Sequence, residues 1–333
     1  MSKEEPILVA IHCLVYNHEL YLRQCLDGFV MQKTNFRFVA VVHDDVSTDK
    51  SADIIREYAE KYPDIIKPIF ETENQWSKHD GSIDRVMHDV IDELGTKYVA
   101  MCEGDDYWTD SYKLQKQVDF LEEHPDYSLC CHGYSILNAG DGTIKERKDG
   151  LSEGTVLGIT FTNVDNWKYR YTSTLTLVYR QDISKQIPEL SLFRYFRDAH
   201  RHYYLLKYGK GYYMPFVGAV YRDHGNGEFS SLSSLQKDLI HIWIYDELYE
   251  HNPEDTNLAS YLVELIEEQE KIFIWLVRDK KWTREIKNGI RDLDRLIRRR
   301  RGCRALWEWR VKLCDSCLKK GKRSVKTFFK RTK

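Results

Sequence analysis

The chain has 333 residues, of which 42% are hydrophobic, 13% aromatic and 31% charged, and its formal net charge at pH 7 is −2. This composition is typical of a folded globular protein and excludes a disordered or collagen-like chain. Its length accommodates one large α/β domain with an appendage, or two modest domains.

The first 110 residues alternate between apolar runs and amphipathic segments with short connections. The continuous apolar runs predict central strands covered on both faces, and apolar residues at helical spacing predict the helices between them. Such alternation is typical of a doubly wound, mostly parallel central sheet with helices on both faces. The predicted strands are 6–16, 36–43, 65–70 and 97–102, and the predicted helices are 21–30, 51–62 and 82–94.

Polar residues follow the ends of three of these predicted strands. In doubly wound sheets, ligands bind beyond the carboxyl ends of the strands, at the point where the strand order reverses. We therefore expect the three polar clusters to meet at one edge of the sheet and to form a binding site. The clusters are Tyr16-Asn17, Asp44-Asp45 and Asp105-Asp106.

Asp105 and Asp106 stand side by side after a buried apolar run. Two adjacent carboxylates in this position repel each other and resist desolvation, so a positive group has to lie nearby. A hard divalent cation that holds a diphosphate is one solution, and an acidic turn with Asp110 capping the next helix is the alternative. No GxGxxG or GxxxxGK[ST] motif occurs, which disfavours dinucleotide and P-loop binding of phosphate.

From residue 111 onward the pattern is less regular. A run of alternating Thr, Ser and apolar residues predicts a strand whose polar face lines a site. Asp198 falls inside a predicted aromatic helix, and from Ser234 onward the chain reads as mostly helix with no clear strand. The predicted elements of the middle part are strands at 127–137, 172–179 and 211–221, a hairpin or loop at 138–154 and a helix at 191–209.

Five motifs in this order resemble the inverting family 2 glycosyltransferases of GT-A fold, of the type that assembles bacterial surface glycans. The resemblance covers about residues 6–230 and does not reach the tail. The motifs are Val15-Tyr16-Asn17, Asp44-Asp45-Val-Ser-Thr-Asp49, Glu103-Gly-Asp105-Asp106-Tyr-Trp108, Asp198 within Arg-Asp-Ala-His, and Tyr221-Arg222-x-His224.

This resemblance implies a GT-A glycosyltransferase domain over residues 1–233. Its nucleotide-sugar half is expected at about 1–110 and its acceptor half at about 111–233. Residues 234–333 are then a C-terminal helical extension with a basic amphipathic tail.

The resemblance also implies roles for the matching residues. Asp198 corresponds to the catalytic base. Asp106 corresponds to the main ligand of Mn²⁺ or Mg²⁺, and Asp105 and His224 would complete the metal shell. The residues expected to bind the nucleotide sugar are Tyr16, Asn17, Asp44, Asp45, Lys78, Arg85, Asp105 and Arg222.

In the nucleotide pocket, Tyr16 would stack on the base, Asp45 would hydrogen-bond to it, and Asp44 would support the loop. Two positions depart from the family pattern. Val46 stands where the family often has Gly, and Arg197 stands where a Gly or an acidic residue often precedes the base.

The implied function is a metal-dependent inverting glycosyltransferase of the hexosyl- or N-acetylhexosaminyl-transferase class. It would move a sugar from a nucleotide-diphosphate sugar, expected to be a UDP-sugar, to a hydroxyl of a glycan or lipid-linked acceptor. The Gln-x-x-Arg-Trp motif and membrane spans of processive synthases are missing from the sequence, which favours single additions. The alternatives are a nucleotidyltransferase on a similar fold and a non-catalytic nucleotide-sugar- or nucleic-acid-binding protein.

The charge is distributed unevenly, with a net charge of +15 for residues 279–333 and −17 for residues 1–278. Arg298–Arg301 precedes a helical face of Leu306, Trp309, Leu313 and Cys317. Basic amphipathic helices bind anionic lipid, so we expect contact of 298–333 with a membrane surface. The alternative is packing of this helix on the acidic body. Nucleic acid is disfavoured because no recognised module accompanies the charge.

The location predicted from the sequence is the cytoplasm, with peripheral contact on the inner face of the cell membrane. The N-terminal residues are charged where a signal peptide needs an apolar core, and no apolar run approaches the roughly 20 residues of a membrane span. The eight cysteines follow no disulfide-framework spacing, as expected in a reducing compartment. Cys314 and Cys317 form a single CxxC motif, which disfavours zinc.

Overall fold

The computed structural model describes residues 5–78, 80–147, 157–189, 192–194, 197–225, 227, 231–278 and 283–318, with side chains up to residue 313. The chain divides into two compact units, Met1–Ser230 and Ser231–Lys333. This division falls within three residues of the boundary predicted at 233/234. The first unit contains the sheet, and the described part of the second contains three helices.

Ten strands in the described part of the first unit form one mixed sheet. The strands are β1 (Ile7–Val15), β2 (Arg37–Asp44), β3 (Ile66–Phe70), β4 (Tyr98–Met101), β5 (Tyr107–Trp108), β6 (Tyr127–Asn138), β7 (Ile144–Arg147), β8 (Ile159–Phe161), β9 (Val178–Arg180) and β10 (Lys210–Asp223). Their order is β3-β2-β1-β4-β9-β6-β10-β5, with β7 beside β6 and β8 beside β10.

The strand directions confirm the predicted mostly parallel sheet. Strands β3, β2, β1 and β4 are parallel, as are β6 and β10. Strand β9 runs antiparallel between β4 and β6, and the short strands β5, β7 and β8 pair antiparallel with their neighbours.

Helices cover both faces of this sheet. They are α1 (Leu22–Val30), α2 (Ser51–Lys61), α3 (Ser82–Leu94), α4 (Lys113–Glu123), α5 (Asn163–Tyr169), α6 (Gln181–Ser184) and α7 (Asp198–Lys207). Successive residues of β1 enter different cores, because side chains alternate across a strand. Ile11 packs with α1, α2 and α4, whereas Ala10 packs with α3 and α7. Gly95 ends α3 in the left-handed conformation.

The structure corrects two predicted elements. The strand predicted at 172–179 is a 3-10 turn, Thr174–Thr176, followed by β9. The Thr176 hydroxyl donates to the Ser173 carbonyl at 2.8 Å, and such local bonds compete with strand pairing. The helix predicted from residue 191 begins only at Asp198. The described part of 138–154 contains the hairpin of β6 and β7, and residues 148–154 lie outside the described residues.

The second unit consists of α8 (Ser234–His251), α9 (Thr256–Arg278) and α10 (Arg284–Leu318), the last interrupted by Gly302 at φ 81°. Within the described residues, no helix combines the length and apolarity needed to cross a bilayer. Leu306, Trp309 and Leu313 of α10 are buried. This face was predicted for a membrane surface, but the three side chains belong to a protein core.

Three arginines of the predicted membrane segment pair with acidic side chains of α8 and α9. Arg299 and Arg300 bind Asp246, which is fully buried. Arg301 Nη1 lies 2.9 Å from Glu270 Oε1. The described portion of 298–333 therefore packs on acidic residues. This agrees with the alternative prediction, in which the basic helix packs on the acidic body of the protein. The Cys317 side chain and residues 319–333 lie outside the described part.

Candidate active site

The loops after β1, β2 and β4, residues 16–21, 45–50 and 102–106, meet at the carboxyl edge of the sheet. The Asp45 amide donates to the Val15 carbonyl, and the Gly104 amide donates to the Leu14 carbonyl, both at 3.0 Å. The structure therefore brings the three predicted polar clusters to one edge, where ligands bind in such sheets.

Asn17 joins the first two loops. Its backbone has a positive φ of 57°, its amide donates to Ser47 Oγ at 2.9 Å, and its Oδ1 accepts the Thr48 amide at 2.7 Å. These contacts give Asn17 a loop-positioning role. Tyr16 beside it is 49% exposed, which leaves its ring available for stacking.

Asp45 is buried and fixes the loop that follows β3. Its two carboxylate oxygens accept the amides of Gln75 at 2.6 Å and Trp76 at 3.0 Å. The neighbouring Asp44 accepts the Ser47 amide through Oδ2, but its buried Oδ1 has no hydrogen-bond partner in the described structure. Asp45 therefore supports the loop after β3, whereas one buried oxygen of Asp44 accepts no hydrogen bond from the described residues. The contact of Asp45 with the base stays a prediction.

Lys78 and Arg85 lie near this loop. Lys78 ends the 3-10 turn Trp76–Lys78, and its Nζ contacts Gln75 Oε1 at 3.0 Å and Glu73 Oε2 at 3.2 Å. Arg85 is in the first turn of α3, where its side chain is 55% exposed and 3.9 Å from Asp80. Neither contacts the carboxylates of Asp44 or Asp45, so their donor contacts stay predictions.

Val46, in the loop after β2, has φ 64°. A β-branched residue in this region is strained, at a cost of about 1–3 kcal/mol. Glycine, which the family often has here, adopts the same conformation without that strain, although it loses about 0.5–1 kcal/mol in entropy. We expect Val46→Gly to raise the free energy of unfolding by about 1 kcal/mol. Thermal and urea unfolding measure the difference.

Val46→Ala is the matched control, because it removes the branch but keeps a Cβ at the same positive φ. It is expected to recover only part of the gain. If Val46→Gly unfolds at the same temperature as the parent chain, the loop is not strained at this position.

Asp105 is the more exposed of the two adjacent aspartates. Its Oδ2 lies 3.1 Å from His224 Nε2 and 3.9 Å from His18 Nε2, and its buried Oδ1 has no partner in the described structure. Burial lowers the pKa of His18, and the Asp105 charge partly offsets this effect. Gly104 permits the close approach, because a Cβ there would lie 2.8 Å from His18 Nδ1.

Asp106 points into the protein instead. It is 4% exposed, and its Oδ1 accepts the Arg222 amide at 2.8 Å. Burial and then the neighbouring Asp105 charge raise the pKa of the Asp106 carboxyl well above its usual value. In this structure Asp106 thus holds the backbone of β10 through the Arg222 amide, and its role as the main metal ligand stays a prediction.

Arg222 positions the Asp105 loop. Its Nε donates to the Asp105 carbonyl at 2.9 Å and its Nη2 donates to Gln24 Oε1 at 2.8 Å. The guanidinium also lies over the Tyr21 ring, which stacks on His224. These contacts give Arg222 a loop-positioning role, and its contact with the donor stays a prediction.

No group of three or more His, Cys, Asp or Glu side chains in the described residues is arranged to hold a metal by itself. Protein sites for Mg²⁺ commonly use one or two carboxylates together with substrate phosphates. Asp105 fits such a site, because its Oδ1 is buried without a partner and an imidazole lies beside its other oxygen.

Asp198 is the first residue of α7, where an acidic side chain is favourable. The Thr174 hydroxyl donates to its Oδ2. One turn further on, Arg201 is buried and pairs with Asp84 at 3.1 Å, which ties α7 to α3. His202 is also buried, and this burial lowers its pKa to about 4. Asp198 is thus a partly exposed carboxylate on a well-anchored helix.

Sequence reasoning missed His18, Thr174 and the role of Trp108. His18 stands in the polar turn directly after β1, so its place at the end of a strand could have identified it as a candidate site residue. The polar face predicted for 172–179 included Thr174, although its local structure was wrong. Trp108 belongs to the motif of Asp105 and Asp106, and its Nε1 donates to the Leu175 carbonyl at 2.9 Å.

The sequence of residues 11–196 matches the model for Glycosyl transferase family 2. An uncharacterized protein of Mycobacterium tuberculosis (strain H37Rv) is 32% identical over 228 residues, or 67% of this chain and 61% of that protein. The putative teichuronic acid biosynthesis glycosyltransferase TuaG of Bacillus subtilis is 25% identical over 193 residues, or 55% of this chain and 72% of that protein. The chain thus spans 61% of the length of the mycobacterial relatives that it matches.

The fold is similar to a crystal structure of S. aureus TarS 1-349 in complex with UDP-GlcNAc. The TM-score is 0.63 at 18% sequence identity, and the match covers 98% of this chain and 92% of that one. This likeness concerns the fold, and it confirms the predicted GT-A architecture followed by C-terminal helices.

Proposed function

The chain belongs to glycosyl transferase family 2, and from this membership we propose that it transfers a sugar from a nucleotide-diphosphate sugar to an acceptor hydroxyl, with inversion at the anomeric carbon. The proposed donor is a UDP-sugar carrying a hexose or N-acetylhexosamine. The bound UDP-GlcNAc of the similar TarS structure supports this choice. The proposed acceptor is a glycan or a lipid-linked sugar, and the name of the relative TuaG supports a surface glycan.

One observation carries the proposal: the carboxylates fall into two sets with different surroundings. Asp44 and Asp105 lie at the strand edge, and each has a buried oxygen without a partner in the described structure. Asp198 lies at the start of helix α7 and is partly exposed. Transfer from a nucleotide sugar needs both sets, because the leaving diphosphate and the attacking hydroxyl are on opposite sides of the anomeric carbon.

In the proposed reaction, Asp198 accepts the proton of the acceptor hydroxyl as its oxygen attacks the anomeric carbon. The bond from that carbon to the diphosphate oxygen breaks on the opposite side, and this single displacement inverts the configuration. Asp105 and His224 would hold Mn²⁺ or Mg²⁺, which stabilises negative charge on the diphosphate when it is bound. Tyr16 would stack on the base, and Asp44 Oδ1 would accept its hydrogen bond.

A donor panel tests the proposal. Purified full-length chain is incubated with UDP-, GDP-, dTDP- and CMP-linked sugars, with Mn²⁺, Mg²⁺ or EDTA, and nucleotide release is measured with and without glycan acceptors. We expect nucleoside diphosphate release from one donor class, stimulated by the cation. Pyrophosphate release from nucleoside triphosphates would favour a nucleotidyltransferase instead. No release from any donor, together with no nucleotide binding by calorimetry, would exclude the enzyme.

We also propose that contact with an anionic membrane is made by residues 319–333, which contain eight Lys or Arg residues, no Asp or Glu, and Phe328-Phe329. Each basic residue near anionic lipid adds about 1 kcal/mol. Deleting 319–333 keeps the buried Leu306, Trp309 and Leu313. We expect the deletion to lower co-sedimentation with phosphatidylserine vesicles at least tenfold and to leave the melting temperature unchanged. Equal binding to phosphatidylcholine vesicles, or no loss on deletion, would contradict this role.

A further inference from the structure

The Asp198 carboxylate has an asymmetric environment. Its Oδ2 accepts the Thr174 hydroxyl, and its Oδ1 accepts no hydrogen bond from the described part of the chain. Both residues are partly exposed. The two oxygens of this carboxylate are therefore distinguished by one neighbouring side chain.

The 3-10 turn that carries Thr174 is held by its backbone carbonyls. Trp108 Nε1 donates to the Leu175 carbonyl, and Gln117 Nε2 donates to the Thr176 carbonyl, both at 2.9 Å. Both donor side chains are buried, and Lys113 Nζ donates to the Gln117 amide oxygen at 2.8 Å. Because two buried donors fix this turn, the partly exposed side chain of Thr174 is held in one place.

Trp108 also belongs to the segment that contains the proposed metal ligand. It lies three residues after Asp105 and pairs with Ala219 of β10. The Trp108 indole packs against Phe29 of α1 and under the Lys113 ammonium. One continuous set of contacts thus runs from the Asp105 segment through Trp108 and the turn to Thr174 and Asp198.

We propose that Thr174 is a positioning residue for the catalytic base Asp198. The 3-10 turn, which Trp108 holds through the Leu175 carbonyl, then sets the position of Asp198 relative to Asp105 on the leaving-group side of the site. Thr174 holds Oδ2 of Asp198, so Oδ1 faces the acceptor hydroxyl and takes its proton. This inference rests on the proposed function, in which Asp198 is the base. Small displacements of an aligned reacting group cost large factors in rate.

Thr174→Val is the main test, because it removes the hydroxyl and keeps the branched shape. We expect kcat to fall on the order of tenfold to a hundredfold, with unchanged donor KM and unchanged affinity for the nucleoside diphosphate by calorimetry. Thr174→Ser keeps the hydroxyl and is expected to retain most of the parental kcat. Thr160→Val is the matched control, since Thr160 is exposed on β8 and its hydroxyl contacts the Tyr127 hydroxyl, away from Asp198.

Melting temperatures accompany the kinetics, and Thr174→Ala replaces the valine variant if that variant fails to fold. A parental kcat for Thr174→Val, or equal losses for Thr174→Val and Thr174→Ser, would overturn the positioning role. Asp198→Asn separates the two proposals. If that variant is inactive while Thr174→Val is fully active, only the positioning role falls; if it is active, the base assignment itself falls.

Discussion

Replacing Asp198 with Asn is expected to abolish sugar transfer while leaving donor binding intact. The amide has nearly the same shape and can still accept the Thr174 hydrogen bond, but it cannot take the proton of the acceptor hydroxyl. General-base catalysis contributes about 10²–10⁴ in rate, so kcat should fall by that factor. Nucleotide release with acceptor measures kcat, and calorimetry with UDP and Mn²⁺ measures binding.

Asp182→Asn provides the matched control for this variant. Asp182 is also an acidic residue in the first turn of a helix of the same unit, but it is exposed, and its Oδ1 accepts the amide of its neighbour Ile183. The control should retain parental kcat. If Asp198→Asn transfers at the parental rate, or if it loses nucleotide affinity as strongly as activity, Asp198 is not the base.

The first half of the fold could be predicted because its signals are local. The apolar runs at 6–16 and 36–43 correspond to β1 and β2, since strands of a covered parallel sheet are apolar on both faces. The position of the site followed from the same pattern, because the ends of parallel strands meet at one edge. Asp44 and Asp105 could thus be placed at the site without knowledge of their contacts.

The orientation of each side chain depended on partners distant in sequence. Asp105 and Asp106 are adjacent and chemically identical, yet only Asp106 is directed to the Arg222 amide, 116 residues away. That choice follows from the pairing of β5 with β10, in which Tyr107 lies opposite Val220. Similarly, Asp45 is occupied by amides of the loop after β3. Sequence spacing contains no information about such pairing.

The turn at Thr174 and the basic segment illustrate the same limit. Residues 172–179 have the alternation of a strand, but donors from Trp108 and Gln117 bind carbonyls of a 3-10 turn there. A run of arginines with an apolar face is equally consistent with lipid and with a helical core. The burial of Leu306, Trp309 and Leu313, together with the ion pairs to Asp246 on α8 and Glu270 on α9, decides for the core.

Asp105→Asn and Asp106→Asn should separate the two adjacent carboxylates. Asp105→Asn replaces the proposed charged ligand with a neutral amide, so we expect the affinity for Mn²⁺ in the presence of UDP to fall on the order of tenfold to a hundredfold. Donor KM should rise with it. Electron paramagnetic resonance of free Mn²⁺ and calorimetry with UDP measure these affinities independently of turnover.

Asp106→Asn serves as the structural counterpart, because the amide oxygen can still accept the Arg222 amide bond. It also removes a negative charge whose burial is unfavourable, as the raised pKa of this carboxyl indicates. We therefore expect its Mn²⁺ affinity to stay within a few fold of the parent and its melting temperature to be unchanged or higher. A larger loss of Mn²⁺ affinity in Asp106→Asn than in Asp105→Asn would restore Asp106 as the main ligand. It would also require a rotation of this carboxylate away from β10 when the nucleotide binds.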